Sequence, residues 1–94
     1  MYVNRKREIE EGLGTIGRIK VMAELAKKPN ESLTKYSLIK GTGLKRSDLN
    51  ENLRHLTNIN WVKELRAIHL RYQINLDNPV VRVLYGFFKE SEYI

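Results

Sequence analysis

Residues 32–76 read SLTKYSLIKGTGLKRSDLNENLRHLTNINWVKELRAIHLRYQINL, and their order decides the fold. Thr34 is a good N-cap for a short helix ending near Lys40, with Tyr36, Leu38 and Ile39 on its buried side. Gly41-Thr42-Gly43 follows as a turn, because glycine tolerates the positive φ of a tight corner between helices. Leu44 is expected to plug the angle. A longer helix then runs from Lys45 or Arg46 to Asn58. At 100° per residue Leu49, Leu53 and Leu56 share one narrow arc, opposite Ser47, Asn50, Glu51, Arg54 and Asn58. Residues 61–65 read as a strand. Residues 70–76 read as its antiparallel partner, with Tyr72, Ile74 and Leu76 alternating. Arg66, Ala67, Ile68 and His69 form a tip that no Gly or Pro marks.

Upstream, Thr15 opens a helix reaching about Lys28, with Ile16, Ile19, Met22, Leu25 and Ala26 at helical spacing. Arg18 lies beside that arc, so its stem is expected to pack and its head to be paired or to reach water. Pro29-Asn30 ends the helix, and Ser32-Leu33 adds a minimal strand. Residues 1–12 are a charged lead. The i,i+4 spacings Lys6–Glu10 and Arg7–Glu11 favour a paired helix there over a loose basic arm.

Downstream, Asn78-Pro79 is a strong helix start. In that last helix Val80, Val81, Val83, Leu84, Tyr85, Phe87 and Phe88 cover roughly 200° of the circumference, where one core needs a stripe of about 100°. A second copy of the chain, related by a two-fold axis, would cover the excess. Val80, Val81, Leu84, Tyr85, Phe87 and Phe88 are the expected interface of that homodimer.

The chain has 94 residues and a net charge of +6. One domain of this size buries roughly 60–65% of its unfolded surface, so a partner subunit would help it. The positive balance suits an anionic partner without indicating a fold. With no cysteine, disulfides, thiolate metal sites and cysteine nucleophiles are excluded. No apolar run approaches the ~20 residues that span a bilayer, and the N-terminus lacks the apolar core of a signal peptide. A cytoplasmic, nucleoid-associated protein without membrane contact is expected. P-loop and HExxH patterns are absent, and neither His55 nor His69 has a nearby carboxylate pair at ligand spacing. No enzymatic role, metal or cofactor is therefore expected.

The segments LGTIGRIKVMAELA, LTKYSLIKGTGLKRSDLNENLRHL, WVKE and RYQINL together resemble the winged helix-turn-helix transcription regulators of archaea and bacteria, the broad group that includes the ArsR, MarR and PadR families. The resemblance covers about residues 13–76, and the last helix sits where such families dimerise. The wing is short, and no ArsR-type metal-ligand cluster is present. The resemblance implies a mainly α chain with a small β-hairpin (α+β), in the order helix, minimal strand, helix, helix, strand, strand, helix. Residues 1–12 would be a charged segment, 13–76 the DNA-binding domain and 77–94 the dimerisation helix.

The implied function is that of a sequence-specific regulator of transcription, in its simplest form a repressor, bound as a homodimer to a pseudo-palindrome in double-stranded DNA. Two copies of the recognition helix would enter major grooves about 34 Å apart. Lys35 and Lys45 would meet phosphate, with Lys40 and, as the alternative to its place in the core, Tyr36 as further phosphate candidates. Arg46 and Arg54 would meet guanine or phosphate, Asn50 adenine, and Ser47 would permit close approach. Glu51 would accept from cytosine or orient Arg54 through an i,i+3 pair. On the wing, Arg66, His69 and Arg71 would reach the minor groove or flanking phosphates. The same architecture also serves as a protein–protein interaction module or a weakly specific architectural DNA binder. A small-molecule effector is left open.

Overall fold

In the computed structural model, residues 15–94 are described. The charged segment 1–12, with its expected Lys6–Glu10 and Arg7–Glu11 pairs, lies outside them. Among the described residues the elements are α1 (Ile16–Ala26), β1 (Leu33–Thr34), α2 (Lys35–Thr42), α3 (Arg46–Asn58), β2 (Val62–Arg66), β3 (Leu70–Ile74) and α4 (Pro79–Glu90). This is the winged helix-turn-helix order expected from the sequence.

The core gathers on α1. Val21, Met22 and Leu25 are fully buried, and α1 packs against α2, α3 and β3. Leu49 and Leu56 of α3 are 0% exposed and Leu53 is 2% exposed, so the stripe read at helical spacing is the face that α3 buries. Each such side chain contributes roughly 1.5–3 kcal/mol of transfer free energy.

The corner between α2 and α3 is built differently from its expected form. Thr34 caps α2 by accepting the Ser37 N–H at 3.2 Å. The helix then continues through Gly41 and Thr42, two residues further than expected. Within Gly41-Thr42-Gly43 only Gly43 is left-handed, at φ 74°. A Cβ at Gly41 would meet the Glu24 side chain of α1, a flexible group that can shift aside. The buried Thr42 hydroxyl closes the corner, donating to the Leu38 carbonyl at 2.6 Å and accepting from the Leu44 N–H at 3.2 Å.

The sheet order is β1-β3-β2, all antiparallel. Val62 faces Ile74, Glu64 faces Tyr72 and Arg66 faces Leu70. Of β2 only Val62 is buried, so the hairpin leaves the core as a wing. The tip is Ala67-Ile68-His69, and Arg66 belongs to the strand. Asn75, 4% exposed, ties the base of the wing. Its amide donates to the Asn60 carbonyl at 2.8 Å, and its oxygen accepts the Asp77 N–H at 3.2 Å. Asn78 caps α4 through Val80 N–H at 2.9 Å and donates to the same Asn60 carbonyl at 3.2 Å. One carbonyl thus joins the turn after α3 to the return of the wing and the start of α4.

The apolar arc of α4 divides into two faces. Val81 and Phe88 are 0% exposed, and Phe88 stacks on buried Tyr93 with ring centroids 5.2 Å apart. These two residues, expected at a dimer interface, belong to the protomer's own core. Being seven positions apart, they share one side of the helix. Val80, Val83 and Phe87 remain exposed on another side, Leu84 is half-buried between the two, and Tyr85 is half-buried on the far flank of the buried pair.

Candidate nucleic-acid interface

With its leucine stripe buried against the core, α3 can present only its polar side. Arg46, Ser47, Asn50, Glu51 and Arg54 are all exposed there, with Lys45 at the N-cap position. No side-chain hydrogen bond or ion pair engages Lys45, Arg46, Asn50 or Arg54 among the described residues. Their donors are therefore available to an external acceptor. The expected Glu51–Arg54 pair does not form; Glu51 instead lines a groove between α3 and α1 with Asp48 and His55. A second groove of about 200 Å³ separates α3 from the wing, lined by Lys35, Asn50, Arg54, Glu64 and Tyr72. Arg54 borders both grooves.

The wing holds its two arginines in different ways. Arg71 is half-buried, and its guanidinium donates to the Ser32 hydroxyl and the Ser32 carbonyl, both at 3.0 Å. Gln73, two residues on and so on the same face, donates to the Pro29 carbonyl at 2.9 Å. Arg71 therefore staples the sheet to the loop before β1, with two of its donors committed to Ser32 and its side chain half-buried. The reason is strand parity: residue 71 points away from the face that carries Tyr72. Arg66 points outward with 76% of its side chain exposed, paired to Glu64 at 3.0 Å. His69 is exposed at the tip.

Other residues depart from their expected places. Tyr36, expected in the core, is 66% exposed on α2, with Lys40 Nζ 5.3 Å from its ring centre. Their i,i+4 spacing was the available signal for that pair. Ile68 at the wing tip is 92% exposed, and no sequence periodicity marks it. Arg18, expected to be paired or to reach water, has a buried Nε without a hydrogen-bond partner. It lines a cleft of about 110 Å³ with Ile19, Met22, Trp61, Leu84 and Phe88.

Among the described residues no three His, Cys, Asp or Glu side chains stand together as metal ligands, and no helix is long and apolar enough to cross a membrane.

No family model and no curated protein matches the sequence. A similar solved structure comes from work on the mechanism by which 6-hydroxynicotinic acid regulates DNA binding of BpsR from Bordetella bronchiseptica. The two superimpose with a TM-score of 0.70 over 95% of this chain, at 11% sequence identity. This chain spans 63% of that one's length. At that identity the likeness is one of fold, and it does not single out the ArsR, MarR or PadR pattern.

Tyr72 gives the wing a measurable alkaline limit. Burial pushes its phenol above the usual 10.0; the Glu64 charge and the hydrogen bond to Glu64 add to this, and Arg66 opposes it. A raised folded-state pKa means that the contribution to stability is full below pH 10 and is lost as pH rises through the folded value. Denaturation midpoints measured between about pH 9 and 11 should fall more steeply for the wild type than for Tyr72→Phe. Parallel curves would show that the phenol adds nothing to the alkaline loss.

Proposed function

We propose that this chain is a duplex-DNA-binding transcription regulator, with α3 as the recognition helix and residues 13–76 as the DNA-binding domain. One observation carries the reading. On a chain of net charge +6, the exposed face of α3 presents Arg46, Asn50 and Arg54 without internal partners, next to a projecting wing. Arginine and asparagine are the side chains that make bidentate contacts to guanine and adenine edges, and an α-helix fits the major groove. The fold shared with BpsR, a protein whose DNA binding is regulated, supports the same reading. Repression by occlusion is the simplest mode of action. A protein–protein interaction module would use the same face and is the main rival.

Fluorescence anisotropy of a ~30 bp duplex across a salt series tests this directly. The expected result is a log affinity that falls with log salt by about 0.9 per phosphate contacted. Combined Arg46→Ala, Asn50→Ala and Arg54→Ala should weaken binding at least tenfold, given about 1–3 kcal/mol for each good base contact. Affinity that survives all three would remove α3 as the recognition helix. A regulator should also prefer a selected operator over scrambled DNA by about 10³ or more, which an architectural binder would not.

The homodimer is part of the same reading, with residues 77–94 as its dimerisation helix. Its support is the open apolar side of α4, where Val83 is 73% exposed with Val80 and Phe87 beside it. Val83→Glu should give folded monomers in sedimentation velocity, because the side chain touches little of its own protomer. A variant that stays dimeric would move the interface elsewhere.

The Arg18 cleft supports regulation by a small planar organic acid. Its walls are mostly apolar, with Thr15 and Arg18 as the polar groups, its volume suits a single ring, and the buried Nε lacks an acceptor. Trp61 lines it and is the chain's one tryptophan. Titration with benzoate should change tryptophan fluorescence in the wild type and not in Arg18→Gln. No response at millimolar benzoate would remove the site.

A further inference from the structure

We propose that Glu64 is a positioning residue for the wing, holding the Arg66 guanidinium ready for the DNA backbone or minor groove beside α3. This rests on the DNA-binding reading above.

The starting point is a mismatch of charge. Glu64 lines the groove between α3 and the wing together with Lys35, Asn50 and Arg54, the surface proposed to meet DNA. A carboxylate there repels phosphate, so by its charge alone it weakens binding. The structure shows what the carboxylate holds. Glu64 lies directly opposite Tyr72 in the ladder, and strand parity puts Glu64, Arg66 and Tyr72 on one face. Tyr72, 3% exposed, donates its O–H to one carboxylate oxygen of Glu64 at 3.3 Å. The other carboxylate oxygen accepts from Arg66 Nη2 at 3.0 Å. The relay therefore runs from a buried phenol, through a side chain 32% exposed, to a guanidinium 76% exposed.

An ordinary surface ion pair joins two mobile side chains and contributes little. Here one partner is anchored from behind by a group that the core holds still. A guanidinium already held in place loses less rotamer freedom on contact than one that must be ordered at the interface. The remaining donors of Arg66 are left to reach an acceptor outside the protein. Arg71 marks the contrast, since its guanidinium is committed to Ser32 on the other face of the same hairpin.

Glu64→Gln separates the two effects of this residue. The amide keeps the volume and the acceptor for Tyr72 while weakening the hold on Arg66. Duplex affinity is measured at fixed salt for the wild type, Glu64→Gln, Arg66→Ala and the double variant, with thermal midpoints confirming that each is folded. Positioning requires that Glu64→Gln bind about three- to tenfold more weakly than the wild type, although it carries one negative charge fewer. In the Arg66→Ala background the same change should cause no further loss. Affinity that rises, or stays level, in Glu64→Gln would reduce Glu64 to a repulsive bystander and overturn the proposal.

A second readout needs no DNA. In the free protein the Arg66 Nε–Hε NMR signal should show restricted motion, which Glu64→Gln releases. A freely mobile Arg66 in the wild type overturns the proposal even if the protein binds DNA. Failure of the DNA-binding reading would appear separately, as a wild type that does not bind duplex.

Discussion

The seat of Leu49, Leu53 and Leu56 against the core built on α1 is the constraint on which the rest depends. It is worth several kilocalories per mole by area, and it is directional. With that stripe buried, α3 has one rotational setting, and in that setting Arg46, Asn50 and Arg54 face solvent. Two polar devices hold the helix at its ends. At the entrance the Thr42 hydroxyl bridges the Leu38 carbonyl and the Leu44 N–H. At the exit the Asn60 carbonyl receives the amides of Asn75 and Asn78. Removing an acceptor from either would leave a donor without a partner, at a cost of about 1–3 kcal/mol where the donor is buried.

The basic residues divide by what holds them. Arg71 closes the fold. Arg66 is presented by Glu64, which Tyr72 braces. The cations of α3 are free. Net charge alone would treat these groups alike, and long-range attraction to a polyanion depends on their sum. Contact depends instead on which donors remain unused once the chain has folded, and that is a property of the structure.

The same distinction explains what was legible in the sequence. Helical spacing carried the leucine stripe, and alternation carried β3, because both periods follow from backbone geometry. The helix order and the polar face of α3 were accordingly readable. Tyr36 reads as core because it is an aromatic close to two aliphatics, although its position on α2 faces outward. Val81 and Phe88 read as interface because a 200° apolar arc does not reveal which half meets the protomer's own core. Arg71 looked free because its partner is Ser32, 39 residues away. Glu64 carried no signal at all, since its meaning lies in the cross-strand register with Tyr72. Long-range hydrogen bonds leave no local period to read.

The proposed DNA contact surface combines α3, braced by hydrophobic burial, with a wing braced by hydrogen bonds, and it leaves the exposed stripe of α4 on a separate element for a second copy. Backbone amide NMR of the protein titrated with a short duplex tests that assignment most directly. Shifts concentrated at residues 45–54 of α3 and 66–69 of the wing are expected, with the Val80–Val83–Phe87 side of α4 unchanged. Shifts confined to α4, or spread evenly over the lysines of the chain, would contradict α3 as the surface that meets DNA.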